Sequence, residues 1–409
     1  MTLWGIKGLK HEYKMIDIVD KKCCSGCGAC VEVCPTRAIA MGVDGEGFRY
    51  PAVDVSACIS CGKCEKSCPF ISPKSCAEQL PDGLLLADDD DCRRAAASSG
   101  GAFALLASDV IAAGGIVFGA ALDGDWGVRH IGVERVADLS RLKGSKYVES
   151  SPGDSYARVV EVLAAGRRVM FVGTPCQVAG LRRVVGKPHP LLLLVDVACH
   201  GVPSSMVWKQ SLKEFCDKEN ISPKDITAID FRDKVKGWKN YHFTITHAHG
   251  SYSTREFPYI MGFAHDLYLR PSCHACRIKE SGSYADVTLA DAWGIEQMTS
   301  NARFLDDRGA NFVMVHTDKG REAVAGIGTA TIERVDAAKM LQHNRSIVTS
   351  APYTTERERF FALLAQGGSV AYCVAKAHRI SPKQRLERLL TPLLLRLGIK
   401  GFTKKLRRK

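Results

Sequence analysis

Two cysteine runs with the same internal spacing are the residues in this sequence that most clearly indicate chemistry. The first run is Cys24, Cys27, Cys30 and Cys34, and the second is Cys58, Cys61, Cys64 and Cys68. Each run reads C-x2-C-x2-C-x3-C-P, and each residue of the second lies 34 positions after its counterpart in the first. Three thiolates two residues apart on a tight loop suit three irons of one cubane, while the fourth points away from it. The spacing therefore predicts iron–sulfur chemistry in a duplicated half-domain.

In two-cluster ferredoxins the fourth cysteine of each run ligates the cluster of the other run. The same rule predicts two 4Fe–4S clusters here, held by two crossed sets of ligands. The first cysteine set is Cys24, Cys27, Cys30 and Cys68, and the second cysteine set is Cys58, Cys61, Cys64 and Cys34. The alternative is a pair of zinc knuckles, but zinc sites take their thiolates in two pairs separated by a long spacer. Cys23 fits neither the spacing nor the offset, so we predict a free thiol there.

Four further cysteines follow strand-like segments or lie in turns. We call Cys176, Cys199, Cys273 and Cys276 the third cysteine set. Their number suits one more cubane, but buried free cysteines are also common as small hydrophobic residues. Spacing alone leaves both interpretations open. The cysteines Cys76, Cys92, Cys216 and Cys373 lie in linker or helical patterns, which indicate small packed residues rather than ligands.

The elements that must position these residues follow from the pattern of apolar side chains. Strands are predicted over 115–121, 168–173, 191–198, 238–247, 286–290 and 311–316, and helices over 103–113, 155–165, 177–185 and 203–219. The mixture predicts an α+β protein, with a small two-cluster ferredoxin-like domain followed by a larger mixed α/β domain around a sheet. The predicted boundaries are 15–72 for the small domain, 73–94 for a connector, 95–345 for the large domain and 346–409 for a helical region ending in a basic tail.

Six motifs of the large domain resemble, in order, those of one protein family. They are SSGG (98–101), GSKY (144–147), GTPCQVAGL (173–181), CHGVPS (199–204), the CxxC at 273–276, and ADVTLADAWG (285–294). Together they resemble the coenzyme F420 hydrogenase/dehydrogenase beta-subunit family over about residues 17–320. Members of that family bind FAD and iron–sulfur clusters. The resemblance therefore implies a third 4Fe–4S cluster on the third cysteine set, and a bound FAD.

No G-x-G-x-x-G motif lies between a strand and a helix, which argues against a Rossmann-type site for the flavin. The residues that the resemblance suggests for FAD are Ser99, Gly100, Gly101, Ser145, Lys146, Tyr147, Thr174, Asp286, Asp291 and Trp293. The Ser-Gly-Gly turn begins a helix and suits a phosphate, although an ordinary helix cap has the same composition.

Two residues are candidates for proton transfer or substrate orientation. His200 follows Cys199 directly, and Asp291 comes just after the strand predicted over 286–290, two residues before Trp293. Each also has a purely structural interpretation, as a hydrogen-bonded histidine and as a carboxylate that caps a turn. The residues alone do not decide between these interpretations.

The net charge of +12 is concentrated at one end of the chain. Residues 374–409 hold twelve Lys and Arg against one acidic residue, so the remainder is nearly neutral. Leucines at helical spacing in this tail, followed by a polybasic end, suit either an anionic membrane surface or a helix packed on the body. The neutral body argues against nucleic-acid binding. Residues 102–122 are apolar, but Asp109 and the pair Gly114-Gly115 predict a helix and a strand rather than a membrane span.

The cysteine patterns predict an iron–sulfur protein, and the family resemblance implies that it is a flavoprotein oxidoreductase. Such an enzyme would take electrons from a soluble carrier or a partner oxidoreductase subunit. Its small-molecule acceptor is unidentified, and coenzyme F420 is one alternative. Another alternative is a non-enzymatic electron-transfer subunit that serves a partner enzyme, for example in polysaccharide biosynthesis. Residues 1–22 show no secretory signal, so we predict a cytoplasmic protein. The alternative is a peripheral membrane protein whose basic tail binds the inner face of the membrane. The sequence leaves open whether Met1 or Met15 is the true start.

Overall fold

The N-terminal module is a small, internally duplicated unit. The computed structural model describes residues 15–71, 73 and 80–378. The module contains helix α1 (Ala29–Glu32), strands β1 (Ile39–Val43) and β2 (Arg49–Val53), and helix α2 (Lys63–Lys66). Strands β1 and β2 pair antiparallel, and the two short helices carry Cys30 and Cys64, which are equivalent positions of the repeat. The sequence duplication is therefore also a structural one.

The large domain is built on twelve further strands among the described residues. They are β3 (Asp82–Asp88), β4 (Ile116–Leu122), β5 (Val128–Val133), β6 (Ser150–Ser151), β7 (Val169–Gly173), β8 (Leu192–Val197), β9 (Ile226–Asp233), β10 (His242–His247), β11 (Gly250–Thr254), β12 (Val287–Asp291), β13 (Asn311–Val315) and β14 (Ala330–Val335). Nine of these form one mixed sheet in the order β14-β3-β13-β12-β8-β7-β4-β5-β6, and β11-β10-β9 form a separate antiparallel sheet.

Helices flank these sheets. They are α3 (Asp91–Ala95), α4 (Ala102–Ala112), α5 (Ser155–Ala164), α6 (Pro175–Val185), α7 (Ser205–Glu219), α8 (Pro258–Ala264), α9 (Arg277–Glu280), α10 (Ala302–Leu305), α11 (Asp318–Ala325), α12 (Ala337–His343), α13 (Thr355–Ala365) and α14 (Val370–Ala377). The predicted α+β class, with a small module before a larger mixed domain, is confirmed.

Five strands of the large sheet run in the same direction, and this arrangement positions the candidate site. Strands β4, β7, β8 and β12 are parallel neighbours, and β3 has the same direction because it is antiparallel to β13, which is antiparallel to β12. Ligands of open α/β sheets bind outside the carboxyl ends of such strands. The loops that follow β3, β7, β8 and β12 therefore meet at one edge of the sheet.

One feature differs from the predicted organisation. The connector predicted over 73–94 contains β3, which lies inside the large sheet between β14 and β13, so that interpretation is wrong for 82–88. The apolar stretch 102–122 forms α4 and β4, as expected for a helix followed by a buried strand. Nothing in the described part of the chain is a helix long and apolar enough to cross a membrane. Most of the predicted basic tail, 379–409, and the start 1–14 lie outside the described residues.

One buried carboxyl group in the sheet leads to a testable pH dependence. The Asp196 side chain on β8 is buried and accepts a hydrogen bond from the Thr288 hydroxyl on β12. Burial raises the pKa of Asp196 to about 7. The folded state therefore holds a proton that the unfolded chain releases near its ordinary pKa of 3.8, and the resulting stabilisation is lost as the pH rises from about 4 through about 7.

We expect Asp196→Asn to remove this loss and to unfold at higher urea concentration than the unchanged protein at about pH 8. Each unit of pKa difference corresponds to about 1.4 kcal/mol in the free energy of unfolding. Urea titrations at about pH 5 and about pH 8 measure the effect, with the exposed Asp318→Asn as the control. An equal pH dependence in the Asp196→Asn variant and the unchanged protein would contradict the prediction.

Candidate iron–sulfur centres and cofactor site

The first cysteine set is buried where the N-terminal module meets the large domain. Burial, followed by the charges of Cys24 and Cys68, raises the pKa of the Cys30 thiol to about 12. Burial and the charges of Cys30, Cys176 and Cys68 raise the pKa of Cys27 in the same way. Such charge effects weaken with distance, so these sulfurs lie close together. Cys68 from the second run thus accompanies the first three cysteines of the first run, in the crossed arrangement that the spacing predicts.

The second cysteine set lines a single pocket of the N-terminal module. Cys34 from the first run lies in this pocket with the first three cysteines of the second run. Apolar side chains, including Ile39 and Val53, form part of the pocket wall. Cys61 is exposed, and so is its neighbour Ile59 at 63% of its full surface. The second set is therefore the one nearest to solvent.

The third cysteine set also lines a single pocket, at the carboxyl edge of the large sheet. Cys176 lies in the first turn of α6, which follows β7, and Cys199 lies just after β8. Cys273 and Cys276 come from a short 3-10 turn and its end. Burial raises the pKa of the Cys176, Cys199 and Cys273 thiols. The fold thus brings together four cysteines that are up to 100 residues apart in the chain.

The chemistry of the donor sets suits iron–sulfur clusters. Backbone amides donate to sulfur in each set: Gly26 N to Cys24 at 3.4 Å, Ile16 N to Cys64 at 3.3 Å, and Val202 N to Cys273 at 3.2 Å. Amide hydrogen bonds of this kind tune the potentials of such clusters. Within the described ranges, no group of three or more His, Cys, Asp or Glu side chains is arranged so that it could hold a single metal ion. A cubane spreads its four thiolates over four irons, so its ligands need not converge on one point.

The three sets lie in a definite spatial order. Cys64 of the second set contributes to the charge around Cys30 of the first. On the other side, Cys176 contributes to the charge around Cys27, and a Cβ atom at Gly180 would lie 3.2 Å from the Cys27 sulfur. The first set therefore lies between the other two.

Most of the residues suggested for FAD also come together, at the same edge of the sheet. The Ser145 amide donates to the Ser98 hydroxyl at 2.7 Å, which joins the GSKY and SSGG segments. The Lys234 ammonium donates to the Ser99 carbonyl at 2.9 Å and so ties β9 to this turn. The Arg232 and Asp291 side chains form an ion pair beside them. Segments from four parts of the chain thus surround one polar region.

Arg232 is the residue of this region that sequence reasoning missed. Its side chain is 4% exposed, and its Nη1 donates to Asp291. Its Nε and Nη2 have no hydrogen-bond partner among the described residues. Trp238 donates to Asp291 Oδ1 at 3.2 Å and stacks on Trp293 with ring centroids 4.9 Å apart. A buried guanidinium with two unused donors is the kind of group that holds an anion.

Other suggested residues already have partners within the protein. The Ser99 hydroxyl donates to the Ala310 carbonyl at 2.7 Å, and the Ala102 amide donates to Asn311 Oδ1 at 3.1 Å. A Cβ at Gly100 would lie 2.3 Å from the Leu86 carbonyl oxygen, so close backbone packing explains this glycine. The Lys146 ammonium donates to three carbonyl groups of the preceding turn, and burial lowers its pKa to about 7. These contacts leave Arg232 better placed than the helix start to hold a phosphate.

Two of the residues suggested for FAD are not brought to this region. Asp286 precedes β12 at the amino end, where it accepts hydrogen bonds from the Leu194 amide at 2.9 Å and the Thr317 hydroxyl at 2.8 Å. Thr174 caps α6, and its hydroxyl lies 3.2 Å from the Cys176 sulfur. The physical reason is the direction of β12, which separates Asp286 from Asp291 by the full length of the strand. Thr174 belongs with the third cysteine set.

Aromatic rings join the third cysteine set to the polar region. His200 lines the pocket of the third set, and its Nε2 lies 2.6 Å from Asp266 Oδ1. Its ring meets the edge of Phe263 with centroids 5.2 Å apart, and Phe263 stacks on Tyr147 at 4.9 Å. Tyr147 lies within the electrostatic reach of Arg232. His200 is therefore held by a carboxylate at the boundary between the two sites.

Comparison with known proteins identifies the two parts of the chain. Residues 166–339 match the family model that describes the C terminus of the beta subunit in coenzyme F420 hydrogenase/dehydrogenase. Residues 23–71 match a 4Fe-4S dicluster domain. The resemblance drawn from the motifs is confirmed, and the protein is an iron–sulfur electron-transfer protein related to the F420 hydrogenase beta subunit.

No curated protein matches the chain at a significant level. Solved structures that match include a chain described as a xenon derivative of the F420-reducing NiFe hydrogenase complex from Methanosarcina barkeri. It is 17% identical, with a TM-score of 0.43, over 69% of this chain and 92% of that one.

Proposed function

We propose that the protein is an iron–sulfur flavoprotein oxidoreductase, which passes electrons from a donor through three 4Fe–4S clusters to FAD and on to a small-molecule acceptor. The observation that carries the proposal is the spatial order of the three cysteine sets. The third set is the last in this order, and aromatic rings connect it to Tyr147 and to the unpartnered donors of Arg232. Clusters carry single electrons, and FAD can collect two of them for delivery to an organic acceptor.

The exposed second cysteine set is the proposed entry point for electrons. Cys61 and Ile59 reach the surface, and Lys63 and Lys66 flank them as exposed cations. An apolar side chain with neighbouring positive charge favours a transient contact with an acidic donor. The donor is a soluble carrier or, because the matching family consists of beta subunits, a partner oxidoreductase subunit.

Arg232 is the proposed anchor of the flavin. Its unused Nε and Nη2 would donate to the pyrophosphate of FAD, while Asp291 fixes the guanidinium from the other side. The rings of Trp293 and Tyr147 offer flat apolar surfaces nearby. His200 is the proposed group for proton exchange, because Asp266 orients its imidazole at the border of the cluster pocket.

Coenzyme F420 is the second candidate for the acceptor, and the family description is the observation that favours it. Adding F420 to the photoreduced protein tests this directly, since a reaction would remove its visible absorbance. Unchanged absorbance would exclude F420 and leave an unidentified acceptor. Turnover of any small acceptor by the isolated chain would exclude a purely electron-carrying subunit.

An anaerobic reductive titration tests the proposed function as a whole. Three clusters that each take one electron and a flavin that takes two predict uptake of about five electrons per chain. We expect the absorbance of the flavin and of the clusters to bleach together over that range. Uptake of about two electrons would indicate the N-terminal clusters alone and would overturn the proposal for the large domain.

A further inference from the structure

Arg270 is a fully buried arginine at the junction of the N-terminal module and the third cysteine set. It begins the 3-10 turn that carries Cys273, whose amide donates to the Arg270 carbonyl at 2.9 Å. The Arg270 amide donates to the Val202 carbonyl at 2.8 Å. The backbone of Arg270 is thus part of the scaffold of the third set.

The Arg270 side chain extends the other way, into the N-terminal module. Its Nε donates to the Cys24 carbonyl at 2.8 Å, and its Nη2 lies 3.7 Å from the Cys24 sulfur. Nη2 also donates to the Arg49 carbonyl, and the guanidinium carbon lies 4.3 Å from the Tyr50 ring centroid. A Cβ at Gly26 would lie 2.7 Å from Nη1, so a glycine leaves room for the guanidinium against the cysteine loop.

The Arg270 guanidinium faces one carboxylate and cysteine sulfurs of two different sets. Its one acidic partner among the described residues is Glu149, with Nη1 and Oε1 3.1 Å apart. The charges of both Cys24 and Cys273 act on the guanidinium. A buried positive charge stabilises whichever neighbouring state is more negative, and a cluster gains one negative charge when it is reduced.

We propose that Arg270 raises the reduction potential of the cluster held by the first cysteine set and holds that cluster against the third set. This inference rests on the proposed function, because it requires clusters at both sets. Arg270 is a positioning and tuning residue that acts through Cys24 and the Cys273 turn. The transfer that it influences moves one electron from the first set to the third, with no bond made or broken.

The test is an anaerobic redox titration of the full-length protein, followed by electron paramagnetic resonance. In Arg270→Met we expect one N-terminal cluster to shift to a more negative midpoint potential, while the cluster of the second set stays unchanged. Arg270→Lys keeps the charge, so it should shift the midpoint potential of that cluster by less. The control is Arg357→Met, because Arg357 is also buried and joins Glu46 to the Leu269 carbonyl, next to Arg270.

An unshifted potential in an Arg270→Met protein with its clusters intact would overturn the inference. An equal shift in Arg357→Met would also overturn it, because the cause would then be looser docking of the module. If Arg270→Met does not assemble its clusters, the same titration is made on Arg270→Gln, which removes the charge but keeps donors for the Cys24 carbonyl. An unshifted potential in Arg270→Gln would then overturn the inference. Absence of clusters from the unchanged protein would instead refute the proposed function.

Discussion

Cys273→Ala is expected to lose about four of about twelve irons per chain and to stop electrons from reaching the flavin. Cys273 lines the pocket of the third cysteine set and accepts a hydrogen bond from the Val202 amide. Its loss leaves three thiolates in a site that lies between the first set and the rings of His200 and Phe263. Iron and sulfide assays, with flavin reduction by a donor acting at the N-terminal module, measure both effects.

Cys216→Ala is the matched control for this prediction. Cys216 is a buried cysteine on α7 within an apolar core, and it belongs to none of the three sets. Its truncation removes a similar volume and should leave iron content and flavin reduction unchanged. Retention of about twelve irons by Cys273→Ala would show that the third set does not bind a cluster.

Arg232→Met is expected to weaken FAD binding by about 100-fold or more. Hydrogen bonds to charged groups contribute about 1.5–3 kcal/mol each, and about 1.4 kcal/mol corresponds to tenfold in affinity. The variant loses both free donors of Arg232, Nε and Nη2. The affinity of Arg232→Lys for FAD should lie between those of the unchanged protein and Arg232→Met, because an ammonium keeps the charge but not the planar fork of donors. Titration of flavin-free protein with FAD, followed by flavin fluorescence, measures the affinity.

The loss of Arg232 also leaves Asp291 unpaired in a largely buried position. The double variant Arg232→Met with Asp291→Asn removes this charge, so it separates weaker FAD binding from poorer folding. Arg357→Met, which breaks a buried ion pair elsewhere, should bind FAD normally. Unchanged affinity in both Arg232 variants would place the flavin elsewhere.

The spacing of the cysteines predicts the two ligand sets of the N-terminal module well, because all of these ligands lie within one short stretch of the chain. The crossed positions of Cys34 and Cys68 follow from a repeat of 34 residues, and the structure brings each beside the expected set. The apolar runs also predict strands β4, β7, β8, β12 and β13 within a few residues of their bounds, since turn residues border these runs.

The remaining features depend on contacts between distant parts of the chain. Strand β3 resembles a connector in sequence because Pro81 and an acidic run border its leucines, and only pairing with β13 and β14 makes it part of the sheet. Arg232 and Arg270 belong to no motif. The contact between Arg270 and Cys24 spans 246 positions, and no spacing rule could indicate it.

The central claim is that one chain binds three clusters and one flavin. Anaerobic purification, with iron, acid-labile sulfide and flavin quantified on the same sample, tests it most directly. The account predicts about twelve irons, about twelve sulfides and about one FAD per chain. About eight irons without FAD would contradict it, because only the N-terminal module would then carry cofactors.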